Sequence, residues 1–510
     1  MKKLRCIIRY FSVRSTLGII AILLIASSCQ ERLDEMNMNP NAITEVPADY
    51  LFTTAIRGTF RQGLDLLQVD FAAQHAHLAV SYDFRREIDK YEESYVGDLP
   101  QSVFSSIYGS SIKYCKDIEV LTDVDGMQEN EVRHAMADVV TVMNYSKLTD
   151  LFGDVPYFQG GLGKEGEFLP EYDRQEDIYS DMIEKLGASL DILETADFSM
   201  AFPGADPMYD NNREGWLRFT NSLRLRLAMR ARYADPGKYN PIIAECLAMD
   251  LIDLNVQNAS LQHWDSDHGQ LRNPWYRYYE ERYISKIYNF NVSEMYVDFL
   301  SSTSDPRLEV MVDTNSYGEY VGMPNGLNEV EYSTYPRQDA SILSSLVLAK
   351  DQYLYYMTAS EVWFLRAEAA LFDLGPGDPN ELYQMGISQA MRQWGIAQSE
   401  VDDFLAASDV GILTGSDEEK FEQIGYQMWL AFVPNYCEAW FNMRRTGYPF
   451  IPQRTADGLS AGVTDGYMPR RIVYPLTTER SVNGENMQTA IDRMAEGDHI
   501  YSRVWWDAKE

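Results

Sequence analysis

Apolar residues recur at three- and four-residue steps over long stretches of this chain. In residues 216–233 they form a single stripe: Trp216, Phe219, Leu223, Leu227 and Ala231. This spacing places the stripe on one face of an α-helix and therefore predicts a helix. Four basic residues of the same stretch lie off the stripe: Arg224, Arg226, Arg230 and Arg232.

Similar patterns predict helices in residues 48–80, 131–152, 359–373, 381–394, 421–433 and 435–445. Pro434 separates the last two, because a proline inside a helix removes a hydrogen bond and clashes with the preceding turn. Consecutive helix–loop–helix units of this size predict stacked helical hairpins. Between them, long stretches rich in Gly, Pro and Tyr are predicted to be loops, which often carry function: 261–290, 313–340 and 446–486. No linker divides residues 48–510, so we expect one body.

The first 28 residues are typical of a signal peptide. Basic residues precede an apolar run at 17–26, which is shorter than the roughly 20 residues that span a bilayer. Small residues then lead to Cys29, a pattern that predicts a lipobox and acylation of that cysteine. Ala26 stands where a large aliphatic residue is usual, so a plain secretory signal is the alternative. Residues 29–47 are predicted to be the lipidated cysteine and a polar tether.

Acidic residues greatly outnumber basic ones, 77 against 44, and give a formal net charge of −33. Nucleic-acid binders carry the opposite sign over their footprint, so this class is excluded. After the signal and the anchor, three widely spaced cysteines remain: Cys115, Cys246 and Cys437. Their spacing fits neither a disulfide framework nor a metal site, so we predict buried free thiols.

Candidate catalytic motifs lack their structural context. Residues 458–462 fit the pattern GxSxG, and a triad can be written with Ser460, His499 and Asp465 or Asp492. A nucleophile elbow needs a strand before the serine and a helix after it, whereas both flanks here are polar. Six scattered histidines predict no zinc cage. We expect no catalysis and no cofactor. The sequence does not decide whether a structural calcium ion is bound. The enzymatic alternative is a surface glycoside hydrolase or esterase.

Aromatic side chains cluster in two segments. The first cluster, with Trp264 upstream and Tyr288 downstream, contains Trp275, Tyr276, Tyr278, Tyr279 and Tyr283. The second contains Tyr82, Arg85, Arg86, Tyr91 and Tyr95. Aromatic rings stack on the C–H faces of sugars, and neighbouring arginines donate to hydroxyls, so both clusters are candidate ligand contacts. The alternative is that these rings pack within the helical array.

Several ordered segments resemble the SusD/RagB-type nutrient-binding outer-membrane lipoproteins of Bacteroidetes. They are NMNPNAITEVPADYLFTTAI at 37–56, YSKLTDLFGDVPYF at 145–158, DPRLEV at 305–310, YVGMPNGL at 320–327, TASEVWFLRAEAALF at 358–372, YQMGISQAMRQWG at 383–395, WLAFVPNYCEAWFNMRRTGYP at 429–449, PRRIVYPLTTERSVNGENM at 469–487 and VWWD at 504–507. Together they run almost to the end of the chain.

The resemblance implies a mainly α-helical fold with tetratricopeptide-like hairpins, whose long loops form a ligand face. It implies a lipoprotein on the cell surface that binds oligosaccharide, or peptide in some members, without catalysis and delivers it to a SusC-like TonB-dependent transporter. Glu31, Asp34 and Glu35 resemble the export signal of such lipoproteins. Arg444, Arg445, Gly447 and Tyr448 match scaffold positions, and no ligand residue carries over by motif. A helical scaffold that binds only protein is the non-catalytic alternative.

Overall fold

The computed structural model describes residues 46–61, 64–81, 86–93, 99–287, 289–407 and 409–509. The chain divides into two compact units, Met1–Pro47 and Ala48–Glu510, and every element below belongs to the second. The predicted signal peptide and Cys29 lie outside the described residues.

The described chain is mainly helical, as predicted. Its α-helices are α1 (Ala48–Arg61), α2 (Arg86–Asp89), α3 (Leu99–Ile107), α4 (Lys113–Thr122), α5 (Glu131–Phe152), α6 (Gln175–Thr195), α7 (Arg213–Ala231), α8 (Pro236–Leu247), α9 (Tyr276–Tyr279), α10 (Glu294–Ser302), α11 (Arg307–Met311), α12 (Glu329–Thr334), α13 (Ala359–Leu371), α14 (Pro379–Gln393), α15 (Gln398–Ala407), α16 (Asp417–Ala431), α17 (Tyr436–Thr446) and α18 (Thr478–Ile491). Three π-helical turns occupy Leu64–Ala73, Tyr108–Ile112 and Glu280–Ile284.

Short strands form three antiparallel pairs among the described residues. The strands are β1 (Ala79–Ser81), β2 (Ala259–Leu261), β3 (Phe290–Val292), β4 (Val312–Asp313), β5 (Ile342–Leu343) and β6 (Leu354–Met357). Strand β1 pairs with β3, β2 with β6, and β4 with β5. Each pair joins segments that are far apart in the sequence, so the strands fasten the loops to the helical body.

The predicted helices at 131–152 and on either side of Pro434 are confirmed. Asn130 caps α5 by accepting a hydrogen bond from the backbone N–H of Arg133, at 3.0 Å. The stretch 48–80 is not one helix: α1 ends at Arg61, a π-helical turn follows, and β1 begins at Ala79.

Several helices lie outside the predicted ranges, and α6 and α18 are two long examples. Helix α6 carries a buried apolar stripe that includes Met182, Leu186 and Leu190, a periodicity that could have indicated it. Helix α18 falls inside a predicted loop and buries only Asn483, Met487 and Ala490, so its sequence carries little apolar periodicity.

Consecutive helices pack against each other from α4 through α8, and α13 packs against α14 and α16. This arrangement confirms the predicted stacked hairpins. One continuous core runs through them and contains four fully buried tryptophans: Trp216, Trp429, Trp440 and Trp506.

The four arginines that lie off the apolar stripe, Arg224, Arg226, Arg230 and Arg232, are buried. Arg226 forms two hydrogen bonds to Glu361 of α13, at 2.5 and 2.6 Å. Arg230 pairs with Asp150 of α5 and with Glu438 of α17. A charge buried without a partner is very costly, so these pairs fix how the four helices dock.

The scaffold interpretation of Arg444 and Arg445 is confirmed. Arg445 forms a bidentate pair with buried Glu368, at 2.5 and 2.6 Å. Arg444 donates to the carbonyl of Asp150, at 2.7 Å. Gly447 then ends α17 with a φ of +84°, a left-handed conformation that glycine adopts without strain.

The three predicted free thiols, Cys115, Cys246 and Cys437, are buried and unpaired with each other. Burial raises the pKa of the Cys437 thiol to about 12, so this group stays protonated and unreactive at neutral pH.

Candidate ligand-binding face

Three tyrosines of the first aromatic cluster stack along one side of α9 and the π-helical turn that follows. The rings of Tyr276 and Tyr279 have centroids 5.2 Å apart with 19° between their planes. Tyr279 and Tyr283 follow at 4.8 Å and 38°. All three side chains are half-buried, which leaves part of each ring open to solvent. We refer to Tyr276, Tyr279 and Tyr283 as the tyrosine ladder.

Asn273 positions the start of α9. Its side chain accepts a hydrogen bond from the backbone N–H of Trp275, at 3.0 Å, and donates to the carbonyl of Ala349, also at 3.0 Å. Its own N–H donates to the carbonyl of Lys350, at 2.7 Å. An Asx turn followed by Pro274 therefore starts the helix, and the contacts with residues 349–350 hold it against the body.

Charged groups surround the ladder in neutralised pairs. Arg272 lies 5.1 Å from the ring centre of Tyr276 and forms a bidentate pair with Glu280, at 2.9 and 2.8 Å. The Lys350 ammonium also lies 5.1 Å from that ring centre and is 2.7 Å from an oxygen of Asp267. These pairs offer donors and acceptors beside an apolar ring without a net charge.

A cleft of about 710 Å³ lies beside Trp264, at the start of the same long segment. Strands β2 and β6 pair Leu261 with Leu354 and so bring Trp264 and Tyr353 to this cleft. Trp264 is 43% exposed and Tyr353 is 39% exposed, so both rings are accessible from the cleft. We refer to this feature as the Trp264 cleft.

The loop at residues 263–272 connects the cleft to the ladder. Arg61 of α1 donates to the carbonyls of Gly269, at 3.0 Å, and Arg272, at 3.3 Å. Lys350 approaches Asp265, directly after Trp264, at 3.6 Å. Cleft, loop and ladder therefore form one continuous face of exposed aromatic and paired polar groups.

The predicted ligand residues divide between this face and the core. Trp264, Tyr276 and Tyr279 lie on the face, whereas Trp275 and Tyr278 are buried. Trp275 is only 2% exposed and packs edge-on against Tyr436, with centroids 5.6 Å apart. For Trp275 and Tyr278 the structure supports the packing alternative, because neighbouring side chains already cover their rings.

The second predicted cluster is described only in part. Tyr82, Arg85 and Tyr95, like Tyr288 of the first cluster, lie outside the described residues. Tyr91 is fully buried, and the Arg454 guanidinium lies 3.5 Å from its ring centre. The ring of Tyr91 is therefore not accessible to a ligand, and the structure supports the packing alternative for this residue.

The GxSxG segment does not form a nucleophile elbow. Ser460 lies in a loop, and its hydroxyl donates to the carbonyl of Lys90, at 3.2 Å. His499 instead contacts a carboxylate oxygen of Glu93, at 3.2 Å, and stacks on Tyr501. Serine and histidine are thus engaged with different partners, as the polar flanks of the motif indicated.

Two features are absent from the described part of the chain. It contains no group of three or more His, Cys, Asp or Glu side chains placed to hold a metal ion together. It also contains no helix that is both long enough and apolar enough to cross a bilayer.

Three residues of the face, Arg57, Lys350 and Tyr353, were not among the predicted ligand residues. They come from α1 and from the segment before β6, far from residues 264–283 in the sequence. Within their own segments, these residues show no sequence pattern that marks a binding site. Only the pairing of β2 with β6 and the packing of α1 bring them to the face.

The helical array with its loop-built aromatic face defines a SusD-type fold, and the comparisons with known proteins agree. A family model described as "Starch-binding associating with outer membrane" (SusD-like) matches residues 40–475. The chain belongs to this SusD-like family. No curated protein matches it.

Solved structures share the fold over nearly their whole length. One is a chitin-binding protein, 24% identical with a TM-score of 0.76, which covers 91% of this chain and 100% of its own. A SusD homologue from Bacteroides uniformis is 24% identical with a TM-score of 0.76, over 90% and 100% of the two chains. A chitin-binding SusD homologue from Flavobacterium johnsoniae is 22% identical with a TM-score of 0.77, over 90% and 99%. At these identities the likeness establishes the fold alone.

Proposed function

We propose that this protein is a glycan-binding lipoprotein of the cell surface, which captures oligosaccharides and delivers them to a SusC-like TonB-dependent outer-membrane transporter. The observation that carries the proposal is the tyrosine ladder, a row of three adjacent, half-buried rings near the Trp264 cleft. The family description as starch-binding and the chitin-binding structural neighbours support a sugar as the ligand.

The chemistry of the face suits a neutral pyranose chain. Exposed tyrosine and tryptophan rings stack on the C–H faces of sugar rings, which gives apolar contact without desolvating hydroxyls. The paired groups beside Tyr276, such as Arg272 with Glu280, donate to and accept from those hydroxyls. No group on this face is needed to break a bond, so binding alone accounts for the arrangement.

Calorimetric titration of the chain from residue 30 onward tests the proposal. The panel holds starch- and chitin-derived oligosaccharides together with short peptides. We expect saturable binding of an oligosaccharide without product formation, and an affinity about tenfold lower for Tyr276→Ala, equivalent to about 1.4 kcal/mol. Tyr467→Ala is the matched control, because Tyr467 is also exposed but lies on another loop.

The other outcomes distinguish the alternatives. Binding of peptides but not sugars would favour a peptide-binding member of the family. Heat from continuing turnover would instead indicate a glycoside hydrolase or esterase. If the Tyr276→Ala and Tyr467→Ala variants bound the oligosaccharide with equal affinity, the tyrosine ladder would not be part of the binding site.

Delivery to a transporter needs its own experiment. We expect the acylated protein to co-purify with a TonB-dependent barrel when the membranes of the native cells are cross-linked and solubilised. A protein recovered alone under these conditions would contradict the transporter part of the proposal and leave the sugar binding in place.

A further inference from the structure

Helix α1 brings Arg57 to the lining of the Trp264 cleft, and Arg61 lies one turn further along the same helix. Arg57 and Arg61 are four residues apart and therefore lie on the same side of the helix. The guanidinium of Arg57 lies 5.9 Å from the ring centre of Trp264. Among the described residues, neither arginine forms an ion pair, in a protein whose net charge is −33.

The other basic groups of the face differ from this pair. Arg272, Arg277 and Lys350 each have a carboxylate within 2.9 Å. Arg218 lines the same cleft as Arg57 but pairs with Glu214, at 2.8 Å, and with Asp250, at 3.1 Å. Of the basic groups named here, only Arg57 and Arg61 therefore keep a positive charge without an ion-pair partner among the described residues.

Arg61 is held in place by neutral acceptors. It donates to the carbonyls of Gly269 and Arg272, and it lies 3.3 Å from Nε2 of His263. Burial and the nearby charge of Arg57 lower the pKa of Arg61, and burial with both arginines lowers the pKa of His263 to about 4. His263 is therefore neutral at pH 7, so the positive charge at this position belongs to Arg57 and Arg61.

Three acidic residues line the cleft together with Arg57: Asp206, Asp210 and Glu214. Asp206 accepts hydrogen bonds from the indole of Trp216, at 2.7 Å, and from backbone N–H groups. Glu214 pairs with Arg218. Asp210 is exposed at the rim of the cleft and is the acid with the least engagement there.

We propose that the Trp264 cleft is a subsite for an acidic sugar, in which Arg57 donates to a uronate carboxylate or a sulfate ester while Trp264 stacks on the sugar ring. Arg61 adds positive charge and holds the loop at residues 263–272 in place through its hydrogen bonds to the carbonyls of Gly269 and Arg272. Hydrogen bonds between a guanidinium and an anion are about twice as strong as neutral ones, so the subsite selects for charge. This inference rests on the proposed glycan-binding function and names its substrate class.

Binding of the chain from residue 30 onward to a glycan array tests the proposed acidic-sugar subsite. The array carries neutral oligosaccharides from starch and chitin, oligogalacturonates, and chondroitin-sulfate oligosaccharides, so that carboxylate and sulfate are separated. We expect the strongest binding among the acidic probes. Affinity for the best probe should fall about tenfold in Arg57→Gln, and it should weaken as salt rises.

Matched variants separate recognition of charge from loss of structure. Arg57→Lys should retain most of the binding, and Arg218→Gln, in the same cleft, should change it less than about threefold, because that guanidinium is already neutralised. Asp210→Asn should tighten binding of the acidic probe, since it removes a nearby like charge.

Two results would overturn the inference in distinguishable ways. If only neutral sugars bind, or if acidic sugars bind equally well to Arg57→Gln, the acidic subsite is wrong while the proposed function stands. If no sugar on the array binds, both are wrong.

Discussion

Trp275 and Tyr276 are neighbours in the sequence but have opposite environments. Trp275 is almost fully buried against Tyr436, whereas Tyr276 is half-exposed at the end of the tyrosine ladder. Removing a buried tryptophan leaves a cavity, so we expect Trp275→Ala to lower the free energy of unfolding by about 3–5 kcal/mol. Tyr276→Ala should lower it far less and act mainly on sugar affinity.

Urea unfolding of both variants, followed by calorimetric titration, checks this contrast. A similar unfolding midpoint for the two variants would contradict the burial of Trp275.

His75 provides a prediction about pH. Burial, followed by the charge of Arg454, lowers its pKa from 6.5 to about 3. The folded protein therefore keeps the ring neutral, while the unfolded chain protonates it below about pH 6.5. The stability that the neutral ring contributes is complete above pH 6.5 and is lost as the pH falls towards 3, by up to about 1.4 kcal/mol per pH unit.

Other titrating groups cancel when wild type is compared with His75→Leu at each pH. We expect the wild type to lose stability relative to this variant between pH 6.5 and pH 5, measured by denaturant unfolding. Parallel pH profiles for the two proteins would show that His75 does not titrate in this way.

At the scale of elements, buried ion pairs tie α5, α7, α13 and α17 together. Glu438 of α17 contacts Arg230 and lies 3.6 Å from Arg226, both on α7. Glu438→Gln leaves buried arginine charge with less compensation, so we expect a loss of about 3–5 kcal/mol in unfolding free energy.

Asp117→Asn is the control for this variant. Asp117 pairs with Lys164, whose side chain is mostly exposed, so the loss should stay below about 1 kcal/mol. Equal losses for the two variants would mean that the buried network does not hold the helices together. Thermal unfolding of both proteins supplies the comparison.

The loop at residues 458–462 acts as a structural connector. The N–H of Ser460 donates to the carbonyl of Gly326, at 2.7 Å, and a Cβ on Gly462 would come within 2.2 Å of the Tyr91 carbonyl oxygen. We expect Ser460→Ala to leave sugar binding unchanged, because its hydroxyl serves only the Lys90 carbonyl. If the wild type released product and the Ser460→Ala variant did not, the esterase alternative would be restored.

At the scale of the whole molecule, the proposed acyl anchor would place the protein at the membrane. We propose that Cys29 is acylated, and we expect Cys29→Ser to abolish incorporation of labelled fatty acid and to move the protein out of the membrane fraction. The reason is that covalently attached acyl chains supply membrane affinity, about 0.8 kcal/mol for each buried CH2 group, and Cys29 is their proposed site of attachment. Unchanged membrane association of the variant would contradict the lipid anchor.

Much of the fold could be predicted from residues 131–152, 359–373 and 435–445, where apolar periodicity is strong. Prediction was weaker for α18, because it buries few side chains and its pattern depends on the loops that cover it. On the candidate site, the cluster around Tyr276 could be found by its composition, but its division into exposed and buried rings could not.

The sequence by itself determined the helical class, the family and the spacing of Tyr276, Tyr279 and Tyr283, because periodicity and motifs are properties of neighbouring residues. The tertiary structure alone decided that Tyr436 covers Trp275, and that Arg57 reaches the Trp264 cleft without forming an ion pair among the described residues. Burial and charge pairing depend on contacts between residues hundreds of positions apart, and a local pattern carries no record of them.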